Sequence, residues 1–121
     1  MAEEKKITPI TLTDDNNGNV YVLEFDRASV KFAEARGFNT GAFDNGVNMS
    51  AIEELFFYSF RMHQPKLTKA DTDKFLYEKL CGMPEGMLER LLQLYMLPFD
   101  ALVQDTETGD TPKNVTMTAK F

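Results

Sequence analysis

The chain has 121 residues, a formal net charge of −6, 43% hydrophobic and 26% charged residues, which predicts one globular domain with a modest core. The acidic excess argues against binding to a nucleic-acid backbone, which requires clustered Lys and Arg. A membrane-spanning helix needs about 20 apolar residues in a row, and the longest apolar run here is only a few residues. We therefore expect no nucleic-acid partner and no membrane segment.

The first predicted elements are the two strands of a β-hairpin. Apolar and polar side chains alternate from Ile10 to Thr13, which predicts a half-buried strand. The residues DDNNGN at 14–19 tolerate left-handed backbone angles and predict a reversal of the chain. A second strand is predicted from Val20 to Phe25. The residues expected on one face of this second strand are Tyr21, Leu23 and Phe25.

A short helix is predicted next, from Arg27 to Arg36. Asp26 can accept hydrogen bonds from free amides at its start, and Gly37 can adopt the left-handed angles of its end. The side chains expected to share one face of this helix are Ala28, Phe32 and Ala35. The following segment, Phe38 to Met49, has turn signals and no regular period, which predicts a loop.

The second predicted helix is rich in aromatic residues. Ser50 and Glu53 have the spacing of a capping box, so the helix should begin at Ala51, and Pro65 should end it. The residues expected along its inward stripe are Ile52, Phe56, Phe60 and His63, with Ser59 at the edge. Phe57 and Tyr58 should then point away from the core.

A third helix is predicted from Lys69 to Leu80. Thr68 and Asp71 form a weaker capping pattern at its start, and Gly82 can close its end. The residues expected to point inward are Phe75, Leu76 and Leu80.

The longest predicted helix, with Pro84 in its first turn, includes the apolar stretch from Met87 to Val103. Its expected inward stripe consists of Leu88, Leu91, Leu92, Tyr95, Phe99 and Leu102. The apolar residues left outside this stripe are Leu94, Met96 and Leu97. Pro98 predicts a kink or break near Leu97. Two interpretations stay open: a central core helix with a bent end, or a helix whose outer side binds a partner.

The end of the chain is predicted to contain a strand. Residues 105–113 are acidic and lack apolar side chains, which predicts a flexible connection, and apolar residues then alternate from Val115 to Phe121. The predicted fold class is α+β: residues 1–121 form a small single domain with about four helices. In it the amino-terminal hairpin and the carboxy-terminal strand form a small antiparallel sheet, because a lone hairpin is marginal in water.

No catalytic or metal-binding pattern is present in the sequence. The only histidine, His63, belongs to the second predicted helix, whereas the only cysteine, Cys81, lies at the end of the third, and a structural zinc site needs about four such ligands. We expect no enzyme activity, no metal and no cofactor. The residues MAEEKKIT at 1–8 lack the apolar centre of a secretory signal, which predicts a cytoplasmic protein.

Three segments together resemble the tail assembly chaperones of long-tailed phages and prophages of Gram-positive bacteria. They are YVLEFDRASVKFAEARGF (Tyr21 to Phe38), AIEELFFYSFRMHQP (Ala51 to Pro65) and ERLLQLYMLPFDALV (Glu89 to Val103). The resemblance covers most of the chain and includes no catalytic motif. It implies a non-enzymatic protein of the host cytoplasm that binds the hydrophobic tape measure protein and keeps it soluble until tail tube subunits replace it.

The expected partners are therefore the tape measure protein, the tail tube protein and further copies of this chain. The residues expected to bind the partner are Phe57, Tyr58, Leu94, Met96 and Leu97. The alternative function is a structural subunit of the phage tail or of the head-to-tail joint, in which the same surplus of apolar surface would serve permanent symmetric assembly.

Overall fold

The structure is a computed structural model that describes residues 7–44, 48–100, 102 and 117. The predicted hairpin is confirmed: β1 (Ile10–Thr13) pairs antiparallel with β2 (Val20–Leu23). The second strand is shorter than the predicted Val20 to Phe25. After Leu23 the backbone leaves the ladder, because the N–H of Glu24 donates instead to the carbonyl of Ser59 at 3.0 Å. The hairpin is thereby joined to a helix end.

Helix α1 (Arg27–Ala35) begins with the predicted cap. The carboxylate of Asp26 accepts from the N–H of Ser29, and the hydroxyl of Ser29 accepts from the N–H of Asp26, both at 2.8 Å. Gly37 adopts a φ of 91° just after the helix, a left-handed angle that favours glycine. Both predicted boundary signals are therefore confirmed, with the helix one residue shorter than expected.

The face of α1 that Ala28, Phe32 and Ala35 share is not its buried side. Ala28 and Ala35 are exposed and Phe32 is half-buried. The buried side chains are Ser29, Val30 and Ala33. The two hydrogen bonds of the cap hold the side chain of Ser29 against the helix start.

The segment from Phe38 to Met49, predicted as a loop, contains a 3-10 helix at Thr40–Phe43. Helix α2 (Met49–Ser59) then begins two residues before the predicted start. Its cap is Asn48, whose side chain accepts from the N–H of Ala51 at 3.2 Å. The predicted Ser50 cap is therefore wrong.

Helix α2 also ends earlier than predicted. It stops at Ser59 and the chain turns well before Pro65, with the N–H of Gln64 donating to the carbonyl of Phe60 at 2.7 Å. His63 consequently lies outside the helix, is exposed, and bonds Glu24 at 2.7 Å.

The third helix has the predicted start and an altered second half. The reciprocal cap between Thr68 and Asp71 is confirmed at the start of α3 (Lys69–Lys74). The chain then continues as a π-helix at Phe75–Lys79, and the N–H of Gly82 closes it on the carbonyl of Leu76 at 2.9 Å. As predicted, Leu76 is buried, and Phe75 and Leu80 pack beside the core.

Helix α4 (Met87–Asp100) starts three residues after Pro84, so the proline precedes the helix rather than lying in its first turn. The N–H of Met87 donates to the carbonyl of Pro84 at 3.1 Å. The helix passes through Pro98 to Asp100, so a break near Leu97 is excluded, whereas the alternative, a kink, stays a prediction. Helix α4 packs against both α1 and α2.

The core contains an aromatic cluster centred on Tyr95. Its ring centroid lies 5.1 Å from that of Phe25, 5.5 Å from that of Phe38 and 5.7 Å from that of Phe99. The pairs with Phe25 and Phe38 are edge-to-face, a geometry that contributes to stability beyond simple burial. The other large, fully buried hydrophobic side chains are Leu23, Leu55, Phe56, Phe60, Leu91 and Leu94.

The fold class is α+β, as predicted: in the described part of the chain, four α-helices pack beside a two-stranded antiparallel sheet. The predicted strand from Val115 to Phe121 and the connection at 105–113 lie outside the described residues, apart from Met117, which is exposed. Within the ranges that the structure describes, no helix has the length and apolar character to cross a membrane.

Candidate protein-binding surface

Two of the predicted partner-binding residues are buried in the core. Tyr58 is 3% exposed and Leu94 is 1% exposed, so the expectation that they point outward is wrong. The ring of Tyr58 lies 5.4 Å from that of Phe38, and burial raises the pKa of its hydroxyl. Both side chains therefore support the fold rather than a surface.

Leu94 is buried because of the helices that pack against α4. Because this helix contacts both α1 and α2, its buried side is displaced from the stripe that sequence hydrophobicity alone predicts. The buried residues of α4 are Met87, Leu91, Leu94 and Tyr95. Leu102, which was placed on the inward stripe, is instead 65% exposed.

The other three predicted binding residues do lie at the surface. Met96 is 41% exposed, whereas Phe57 and Leu97 are half-buried against the core. Phe57 lines a small cavity of about 20 Å³ beside Leu67. This cavity is too small for the side chains of a partner helix, so Phe57 marks an edge of the core.

A larger apolar groove lies between α1 and the end of α4. It has a volume of about 340 Å³. Among the described residues, none closes it off from solvent. We name it the α1/α4 groove, and its lining residues are Arg27, Val30, Lys31, Glu34, Pro98, Phe99 and Leu102. Its floor is apolar and its charged residues all come from α1, an arrangement typical of grooves that accept one face of an amphipathic helix.

The ring of Pro98 is part of the groove because the proline lies inside the last turn of α4. A proline has no backbone N–H, so the carbonyl of Leu94, one turn earlier, lacks its usual helical donor. The ring of Pro98 instead becomes part of the apolar lining. The chain then turns, and the N–H of Leu102 donates to the carbonyl of Phe99 at 3.0 Å, which places the exposed Leu102 at the groove's edge.

Beneath this region, Tyr95 has a buried hydroxyl with no hydrogen-bond partner among the described residues. Burial, together with the charge of Glu34 and the neighbouring Tyr58, raises the pKa of Tyr95 to about 12. An unsatisfied buried polar group costs about 1 kcal/mol or more of stability. The hydroxyl of Tyr95 therefore lowers the stability of the folded state.

We expect Tyr95→Phe to be more stable than the wild type by about 1 kcal/mol at pH 7, because it removes the unsatisfied group and keeps the ring. The difference should grow at high pH. A raised folded-state pKa contributes stability that is fully present below the unfolded pKa near 10 and is lost as the pH rises towards 12. By pH 11 the gap should widen by roughly 1.4 kcal/mol. Urea unfolding at both pH values measures this, and a constant gap would contradict the burial of this hydroxyl.

A second concave region lies between the hairpin turn and the π-helix. It has a volume of about 280 Å³ and a partly acidic lining that includes Asp14 and Glu78. The carboxylate of Asp14 bonds the ammonium of Lys79, which lowers the carboxyl pKa and raises that of the lysine. This ion pair joins the turn to the π-helix, so Asp14 is engaged in the fold.

The structure does not bring the only thiol and the only imidazole together through any described hydrogen bond. The thiol of Cys81 lies 3.6 Å from the carbonyl of Glu78, while His63 bonds Glu24. Among the described residues, no three side chains of the metal-binding types are grouped as a metal site.

Sequence reasoning did not find the α1/α4 groove. It assigned Phe99 and Leu102 to the core, and it gave Val30 no role. One signal was available: Arg27, Lys31 and Glu34 are spaced at four and three residues, which places them on one side of a helix beside Val30. That pattern marks a boundary between charged and apolar surface, but it does not identify the helix across the groove.

These features together define a small α+β protein with an open apolar groove on its described surface. The chain belongs to the family described as Domain of unknown function (DUF5055), which it matches over residues 1–121. Neither the curated proteins nor the solved structures contain a match to this chain.

Proposed function

We propose that this protein is a non-enzymatic tail assembly chaperone of a long-tailed phage or prophage. In this role it binds apolar helical segments of the tape measure protein in the host cytoplasm and keeps them soluble. Tail tube subunits later replace it. The proposal is supported by the resemblance of the three sequence segments and by one structural observation, the open α1/α4 groove.

The groove suits a client that is held and then released. Its floor is short, because Pro98, Phe99 and Leu102 span little more than one helical turn. One such contact gives modest affinity. Many copies bound along one long client hold it firmly through multivalency, and each copy can still be displaced singly. Self-association along the client would strengthen this effect.

Of the residues predicted to bind the partner, Met96 lies closer to the groove than Leu97 does. Met96 lies on the side of α4 next to Phe99, and its exposed side chain can extend the apolar contact beyond the groove. Leu97 lies on the other flank of α4. We therefore include Met96 in the proposed contact and assign Leu97 to the edge of the core.

Co-expression with a tape measure fragment tests the groove. The wild type should keep the fragment soluble, and Leu102→Asp should let it aggregate, because a carboxylate at the groove's edge opposes an apolar client. Leu102 is 65% exposed, so this change should alter stability by no more than about 0.5 kcal/mol.

Met49→Asp is the matched control. Met49 is 71% exposed, lies in the first turn of α2 and does not line the groove, and a carboxylate at a helix start is favourable. This variant should protect the fragment as well as the wild type does. If Leu102→Asp protects the fragment as well as the wild type does, the groove is not the client-binding site. If the wild type gives no protection, the protein is not a chaperone of this fragment.

The alternative, a structural subunit, is distinguished by the composition of purified virions. A chaperone is expected to be absent from them, since tube subunits displace it. A stoichiometric amount of this protein in the finished tail would instead support the structural role.

A further inference from the structure

The α1/α4 groove has charge as well as shape. Arg27 and Lys31 lie four residues apart on α1, and both line the groove. Four helical residues correspond to a rise of about 6 Å, so the two cations lie one above the other along one side of the apolar floor. Glu34 continues the same row towards the end of α1. The charges along this row are therefore positive at Arg27 and Lys31 and negative at Glu34.

These two cations have no ion-pair partner among the described residues. The described ion pairs are His63 with Glu24, Lys69 with Glu53 and with Asp73, and Lys79 with Asp14. The carboxylate nearest to Arg27 in sequence, that of Asp26, accepts from the N–H of Ser29 in the helix cap, and the carboxylate nearest to Lys31, that of Glu34, forms no ion pair with it among those described. Two positive groups without such a partner therefore flank the apolar floor of the groove.

The other cations beside α1 are differently engaged. The guanidinium groups of Arg36 and Arg61 lie 5.2 Å and 4.1 Å from the ring centroid of Phe32, distances at which cation–π attraction operates. Phe32 does not line the groove. Arg27 and Lys31 are thus the cations of this region that are left to face a ligand in the groove.

We infer that the α1/α4 groove binds an acidic amphipathic helix, whose apolar stripe covers Val30, Pro98, Phe99 and Leu102 and whose carboxylates at positions i and i+4 pair with Arg27 and Lys31. The i, i+4 spacing follows because a helix lying along α1 repeats its side chains with the same rise. A neutral or basic residue of the ligand faces Glu34. The inference rests on the proposed function only for the identity of the natural client, which supplies such helices.

Two synthetic peptides of about 18 residues test the charge preference. Both carry the same leucine stripe, and the flanking i, i+4 positions hold Glu in one and Lys in the other. Fluorescence anisotropy with the full chain should give a dissociation constant on the order of tenfold lower for the Glu peptide, since two exposed ion pairs replace two repulsions. The preference should shrink as salt screens these charges.

Arg27→Glu combined with Lys31→Glu should reverse the preference. The control is Lys66→Glu combined with Lys74→Glu, two exposed lysines outside the groove, which makes the same change in net charge and should leave the preference intact. Circular dichroism checks that both variants fold. If the double reversal does not fold, the neutral pair Arg27→Gln with Lys31→Gln should bring the two dissociation constants close together, and an undiminished preference would overturn the inference.

Equal affinity for the two peptides, binding of neither peptide, or a preference unchanged by the Arg27 and Lys31 reversal would each overturn this inference. Its failure is separable from that of the proposed function. If the tape measure fragment aggregates in co-expression while the Glu peptide still binds selectively, the tape measure protein is not the client. The preference of the groove for an acidic helix would still be supported.

Discussion

Leu94→Asp is expected to unfold the domain. Leu94 is 1% exposed and is part of the core, so the substitution leaves a carboxylate without a cationic partner in apolar surroundings. An uncompensated buried charge typically costs about 3 to 5 kcal/mol, which is a large part of the total stability of a small domain. Circular dichroism at 25 °C should show loss of helical signal.

Met96→Asp is the matched control for this prediction. It makes the same kind of change two positions further along α4, at a side chain that is 41% exposed. The carboxylate there remains hydrated, so the variant should fold and lose about 1 kcal/mol or less. Equal stability of the two variants would mean that the buried side of α4 has been placed incorrectly. The pair also shows why Leu94 cannot serve as a surface probe of client binding.

Phe60→Ala should have a similarly large effect through loss of packing. Phe60 is 1% exposed, and its ring centroid lies 5.0 Å from that of Phe56 and 5.8 Å from that of Phe75. Truncating a buried phenylalanine costs about 3 to 5 kcal/mol because the cavity is only partly refilled. The residue also joins three elements, since it caps α2 and lies 6.0 Å from the ring of Tyr21 on β2.

Phe57→Ala provides the comparison. Phe57 precedes Phe60 by one helical turn but is only half-buried, so less apolar surface is lost and water can fill the space. We expect a cost of about 1 to 2 kcal/mol. Urea unfolding measures both variants, and a smaller loss of stability for Phe60→Ala than for Phe57→Ala would contradict the packing described for this helix end.

Local signals in the sequence located several boundaries correctly. The cap of α1 by Asp26, the reciprocal cap of α3 by Thr68 and Asp71, and the hairpin turn were all predicted. Each depends on residues within a few positions of one another, and the hydrogen bonds involved form within the segment itself. Such features are readable without knowledge of the rest of the fold.

Boundaries that depend on distant contacts were missed. The second strand ends at Leu23 because the N–H of Glu24 bonds the carbonyl of Ser59, which is remote in sequence. Asn48, rather than Ser50, caps α2. Asn48 and Ser50 lie two positions apart and both have side chains that can cap a helix, so the local pattern alone does not choose between the two starts.

The sequence by itself determined that this chain forms an α+β domain with surplus apolar side chains on α4 and just after it. The tertiary structure alone decided which of those side chains are covered. Leu94 and Leu102 are equally hydrophobic, yet Leu94 is buried and Leu102 is 65% exposed. Hydrophobic periodicity depends on one helix, whereas burial depends on the helices packed around it. Because α1 and α2 both contact α4, its buried side includes Leu94, and the open apolar surface lies instead along α1 at the helix end.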